Sequence, residues 1–192
     1  MGMESSAILI VDDETGVIKA LTRSFIDDPV FIHTADSALE GLAILSTHKI
    51  KVVISDEMMP GMSGAEFLAM VRSRFPHVIR IMLTGHASLN AAIKAINKGE
   101  IYRFFTKPWD DFELRFAVKS SIEKYDLGEE NRRLLSIVRQ QALNLKLLEK
   151  EFPGITEHEY DEKGRIIIQD VPNSEIEQIV AELEKDYGHD RP

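Results

Sequence analysis

Residues 7–122 alternate five short apolar runs with five segments whose apolar residues recur at helical spacing. The runs are Ala7–Val11, Val30–His33, Val52–Ser55, Arg80–Leu83 and Ile101–Thr106. The helical segments carry Val17, Ile18, Leu21 and Phe25, then Ala38, Leu39, Leu42 and Leu45, then Phe67, Leu68 and Val71. Leu89, Ala92, Ile93 and Ile96 follow, and last Leu114, Ala117, Val118 and Ile122. Such alternation requires βαβ crossovers and hence a parallel sheet. Right-handed crossovers then restrict the fold to a doubly wound α/β sandwich. Asp28-Pro29, Pro76 and Gly99 punctuate the helices, and Asp110 or Asp111 caps the fifth.

Within this frame Val52–Ser55 reads as a strand covered on both faces, because its β-branched run is unbroken. It runs into Asp56, and turn chemistry begins at once with Pro60, Gly61 and Gly64. Ser63 and Glu66 form a capping box for the next helix. Asp56 by itself reads equally well as a turn former. Other strand ends change that balance. Asp12 and Asp13 follow the first run, Thr84 ends the fourth and Lys107 ends the fifth. With acids after strands one and three, the expected sheet order is the flavodoxin-like 2-1-3-4-5, whose switch point lies between those strands.

Three carboxylates on one sheet edge repel unless a cation joins them, and an all-oxygen set of this kind suits Mg²⁺. A carboxylate is also a nucleophile able to form an aspartyl-phosphate. The charge on a transferring phosphoryl group needs donors and positive charge nearby. Lys107 offers an ammonium and Thr84 a hydroxyl.

These residues carry a resemblance. Residues 7 to about 125 resemble the receiver domain of two-component response regulators. The acidic pair after strand one, the Asp-x-x-Met-Pro-x-Met-x-Gly loop from Asp56 to Gly64, Leu83-Thr84-Gly85-His86 and Phe105-Thr106-Lys107-Pro108-Trp109 are specific as an ordered set. The resemblance implies that Asp56 accepts a phosphoryl group from a histidine kinase in a Mg²⁺-dependent reaction. It further implies Asp13 as a direct metal ligand, Asp12 as one acting mainly through water, and the Met58 carbonyl as another. Lys107 would pair with the phosphoryl oxygen and Thr84 would swing in to bond it. Phe104 would reorient with Thr84, or else simply belong to the core. Met58 and His86 would govern water access. An aspartate-based phosphatase would want a second Asp at position 58, where Met58 stands, so turnover of an external substrate is not expected.

Composition excludes other classes. The chain has 192 residues, a net charge of −9 and no cysteine. An acidic balance disfavours a nucleic-acid partner. The lack of cysteine removes disulfides and thiolate chemistry and fits a cytoplasmic setting. No apolar run approaches a membrane span, and no signal peptide precedes the first strand. The loose myristoylation pattern at Met1-Gly2 stands alone.

The expected organisation is a receiver over 1–125, a helical coiled-coil linker over 126–152 and a small ββα module over 153–192. In the linker Leu127, Leu134, Gln141 and Leu148 fit one heptad core position, and Asn131, Val138, Leu145 and Phe152 the other. This favours a parallel homodimer through 119–152. The competing reading packs the helix back on its own domain, using Leu135, Ile137, Leu143 and Leu147. Gly128 is a candidate interruption. Thr156–Tyr160 and Arg165–Gln169 read as a hairpin, followed by a helix with Ile176, Ile179, Val180, Leu183 and Tyr187 on one face. This acidic tail shows no Walker loop and, at His158-Glu159, no second His for a zinc-protease motif, and its charge argues against DNA binding. The expected output is therefore relay to a protein partner. The alternative is the regulatory part of a larger signalling enzyme, such as a cyclic-dinucleotide phosphodiesterase, with further sequence past Pro192.

Overall fold

The computed structural model describes residues 6–85 and 101–152. The chain divides into two compact units, Met1–Ser136 and Ile137–Pro192. The first contains a parallel five-stranded sheet formed by β1 (Ser6–Val11), β2 (Val30–Ala35), β3 (Val52–Asp56), β4 (Ile79–Thr84) and β5 (Arg103–Thr106). Its order is β2-β1-β3-β4-β5, as expected. The described helices are α1 (Thr15–Ser24), α2 (Ala38–Thr47), α3 (Gly64–Arg74) and α4 (Asp111–Glu151). The expected helix over Leu89–Ile96, His86 and the tail from 153 onward lie outside the described residues.

Alternation along the strands builds two cores. Leu9, Val11, Val53 and Met82 join α2 and α3 through Leu42, Phe67 and Leu68 on one face. Ile8, Ile10, Val52, Ile54 and Leu83 join α1 and α4 through Leu21, Leu114 and Val118 on the other. Successive strand residues point to opposite faces, so burial on both sides demands an unbroken apolar run. That is why β1 and β3 carry no polar residue before their ends, apart from Ser6 and the buried Ser55.

Some boundaries differ from the expected ones. β2 continues to Ala35, because the ladder with β1 runs as far as Val11 beside Ala35. β5 starts at Arg103, since its pairing with β4 begins at Ile81, although Ile101 is still buried. Asp110 is the cap of α4, and its Oδ1 accepts the Glu113 N–H at 2.8 Å. Gly128 does not interrupt the helix. A mid-helix glycine costs only about 1 kcal/mol, and ion pairs hold the helix on either side of it. Lys51 meets Asp126 at 2.7 Å and Lys49 meets Glu129 at 2.8 Å.

The capping box at α3 is formed. Ser63 Oγ accepts the Glu66 N–H at 3.2 Å, and Glu66 Oε2 accepts the Ser63 N–H at 3.0 Å. Ser63→Ala is expected to lower stability by about 1 kcal/mol. In a urea titration that would appear as an earlier midpoint with an unchanged slope.

Candidate functional site

Register brings the site together. Val11 lies beside Ser55, Asp56 beside Leu83, and Thr84 beside Thr106. The next residues, Asp12 and Lys107, therefore emerge with Asp56 at the carboxyl edge of the sheet, each rise between successive residues being about 3.3 Å. This is the edge where open α/β sheets bind ligands.

Lys107 is the hub. Its ammonium contacts Asp56 Oδ1 and meets Asp12 Oδ2 at 2.9 Å. Both acids are deeply buried, Asp12 at 1% and Asp56 at 5% exposure. The remaining oxygens are also held. Asp56 Oδ2 accepts the Met58 N–H at 2.6 Å, and Asp12 Oδ1 accepts the Glu14 N–H at 2.9 Å. Burial pushes the Asp12 carboxyl above the ordinary carboxylate range despite its bond to Lys107. Burial opposes the Lys107 ammonium too, but the hydrogen bonds it donates to Asp56 and Asp12 outweigh it and hold its pKa above the usual value.

The neighbours are arranged around this cluster. Thr84 is fully buried, its hydroxyl donates to the Gly85 carbonyl at 3.1 Å, and its own carbonyl accepts the Lys107 N–H at 2.8 Å. Phe104 is half-buried against the core face that contains Met82. Met58 is 71% exposed beside Asp56. The peptide between Lys107 and Pro108 is cis. Beyond it Trp109 is half-buried, and its indole N–H donates to Asp111 Oδ1 at 2.9 Å. The same oxygen accepts the Ser24 hydroxyl of α1 at 2.6 Å.

Asp12, Asp56 and Lys107 are thus in direct contact, and Thr84 borders them. Asp13 is exposed on the β1–α1 loop. Among the described residues no three acidic or histidine side chains converge tightly enough to enclose a metal by themselves. Mg²⁺ does not require such enclosure, because it keeps several waters and takes one or two carboxylates. Two buried carboxylates sharing a single ammonium leave negative charge uncompensated, and their oxygen-only donors fit that ion.

Glu57 was assigned no role from the sequence. It is 5% exposed, and its Oε2 accepts the Ala65 N–H at 3.0 Å. Burial raises its carboxyl above the usual range. A charged residue directly after a buried run was the available signal. Phe112 and Phe116 on α4 were missed as well, at 79% and 61% exposure. Their spacing of four residues on one helix side was legible.

Comparison with known proteins gives one consistent picture. The response regulator receiver domain profile matches residues 8–119. The hydrogenase transcriptional regulatory protein HoxA of Cupriavidus necator is 34% identical over 134 residues, covering 70% of this chain and 28% of HoxA. The transcriptional regulatory protein GlrR of Escherichia coli is 33% identical over 150 residues, covering 78% of this chain and 34% of GlrR. The chain thus spans about a third of the length of these curated relatives. Among solved structures, the signal receiver domain of an HD domain-containing protein from Pseudomonas fluorescens superposes with a TM-score of 0.64 at 35% identity. That match covers 68% of this chain and 96% of the other.

Proposed function

The chain belongs to the response regulator receiver domain family, and from that premise we propose that it is a phosphorylation-controlled signalling switch whose acceptor is Asp56. The observation that carries this reading is the Lys107 ammonium shared by two buried carboxylates at the carboxyl edge of the sheet. The donor is a histidine kinase. A carboxylate oxygen of Asp56 attacks phosphorus in line and forms an O–P bond. The P–N bond to the kinase histidine breaks, and the ring nitrogen keeps the electron pair. Lys107 follows the charge from the carboxylate to a phosphoryl oxygen, and the Thr84 hydroxyl leaves the Gly85 carbonyl to donate to another. Asp12, Asp13, Asp56 and the Met58 carbonyl would hold Mg²⁺. When bound, the ion neutralises charge on the phosphoryl oxygens. Phe104 follows Thr84 inward, while Met58 and His86 control the approach of water to the acyl phosphate. The chain performs its own phosphoryl transfer and hydrolysis and turns over no external substrate.

This reading is tested with a small phosphoryl donor such as acetyl phosphate. In Mg²⁺ the protein should gain one phosphoryl group by intact mass, and none in excess EDTA. Incorporation that ignores EDTA would sink the metal-dependent mechanism.

The output is relay by binding. Functionally the receiver comprises 1–125, the helical linker 126–152 and a C-terminal module 153–192, in a cytoplasmic protein. No described helix is long and apolar enough to cross a membrane. On α4, Leu127, Leu134, Val138, Leu145 and Leu148 are all exposed, between 42% and 68%. Phe112 and Phe116 prolong the same side of the helix toward its start, given 3.6 residues per turn. Leu135, Ile137, Leu143 and Leu147 are exposed too, between 42% and 56%. A second copy of the helix is the natural cover for a heptad-spaced stripe. Light scattering is expected to show a dimer, and the double substitution Leu134→Lys with Leu145→Lys a monomer. A dimer that survives both changes would remove the coiled coil from this reading.

A further inference from the structure

We infer that Glu57 is a positioning residue that ties the end of β3 to the start of α3 and thereby sets where Met58 stands in the acidic site. The inference rests on the proposed reading of Asp12, Asp13, Asp56 and the Met58 carbonyl as Mg²⁺ ligands. Residue 57 is held at three points. Its N–H donates to the Leu83 carbonyl at 3.0 Å, which fixes it to β4. Its carbonyl accepts the Gly64 N–H at 2.9 Å, and its carboxylate accepts the Ala65 N–H at 3.0 Å. Gly64 and Ala65 open α3, where amides have no partner within the helix. One residue therefore receives two consecutive amides and closes the intervening loop on itself.

That loop begins with Met58 and turns through Gly61, which has a positive φ of 81°. Met58 is anchored on its amide side by Asp56 Oδ2. Through the preceding residue it is anchored to the first turn of α3. Mg²⁺ demands near-ideal octahedral geometry, so a ligand carbonyl that drifts loses affinity.

Simple packing does not account for an acid here. Among the described residues no Lys or Arg pairs with Glu57, although it is 5% exposed. A buried carboxylate without a cation is unfavourable, and an apolar side chain of similar size would fill the space at lower cost. What the apolar residue lacks is an acceptor for the Ala65 amide.

The test uses the full chain with Glu57→Gln and Glu57→Met. Three quantities are measured: Mg²⁺ affinity by calorimetry, the melting temperature, and hydrogen exchange of the Ala65 amide by NMR. Glu57→Gln keeps a carbonyl acceptor and should stay within about twofold of the parent in Mg²⁺ affinity, with Ala65 protected. Glu57→Met should bind Mg²⁺ about tenfold more weakly, the usual scale for losing support behind a ligand. Its Ala65 amide should exchange faster while the melting temperature holds or rises. Ala65→Pro removes the donor instead of the acceptor, in a turn that tolerates proline, and should weaken Mg²⁺ alike even if Glu57→Met fails to fold. Unchanged Mg²⁺ affinity in Glu57→Met, unchanged Ala65 exchange, or equal losses in the Gln and Met variants would each overturn the inference. If the parent itself binds no Mg²⁺, the metal reading fails first, and the exchange data still decide whether the tie exists.

Discussion

Asp56→Asn is expected to abolish phosphoryl incorporation while leaving the fold in place. An amide is no nucleophile toward phosphorus under these conditions, so the change removes the chemistry itself. It is also nearly isosteric. The asparagine carbonyl can still accept the Met58 N–H that now reaches Asp56 Oδ2 at 2.6 Å. Breaking a buried ion pair usually strands a charge, at a cost of about 3–5 kcal/mol. Here Lys107 keeps Asp12 at 2.9 Å, so the ammonium is not stranded and the melting temperature should move little. Intact mass after treatment with acetyl phosphate and Mg²⁺ gives the answer directly. A variant that still gains a phosphoryl group in a form as labile as the parent's would place the acceptor elsewhere.

Gly64→Ala should be the most damaging small substitution among the described residues. A Cβ at this position would lie 2.0 Å from the Asp56 carbonyl oxygen and 2.9 Å from the Glu57 Cα. These are backbone atoms at the end of the central strand, so no side chain can swing away to relieve the contact. The first turn of α3 must move from β3, and the two bonds that residue 57 makes to that turn stretch with it. A loss of about 3 kcal/mol or more is expected, at the upper end of overpacking effects. Gly16→Ala is the matched control. Gly16 lies in α1 with nothing within 4 Å of its added Cβ. There alanine should stabilise by about 0.5–1 kcal/mol through helix propensity. Urea titrations of the two variants should therefore shift in opposite directions, and a Gly64→Ala midpoint equal to the parent's would contradict the close approach.

The parts of this molecule that were legible beforehand are those where a local pattern and the global fold make the same demand. Val52–Ser55 had to be apolar because β3 is covered on both faces, and its burial is complete. Ser63 and Glu66 satisfy each other across one helical turn, so their spacing alone announced them. Contacts set by register were harder to foresee. Asp12 and Asp13 are chemically identical neighbours, and only the pairing of β1 with β3 decides which one turns toward Lys107. The role of Glu57 was harder to read, although a charge directly after a buried run set it apart. Its partner is a backbone amide, which every non-proline residue carries, so no side chain elsewhere signals the bond. Gly128 misled because propensity acts locally, whereas Lys49 and Lys51 hold the helix from another part of the chain.

The placement of Trp109 has a practical consequence. It is the one tryptophan in the chain. It stands two residues beyond Lys107, with its indole bonded to Asp111 and only partly shielded from water. Indole emission depends on local polarity and on quenching by nearby groups. The protein thus carries a built-in optical reporter at the sheet edge that holds Lys107 and its two carboxylates. Selective excitation would read this one position in the native sequence, without a dye and without contributions from elsewhere in the chain.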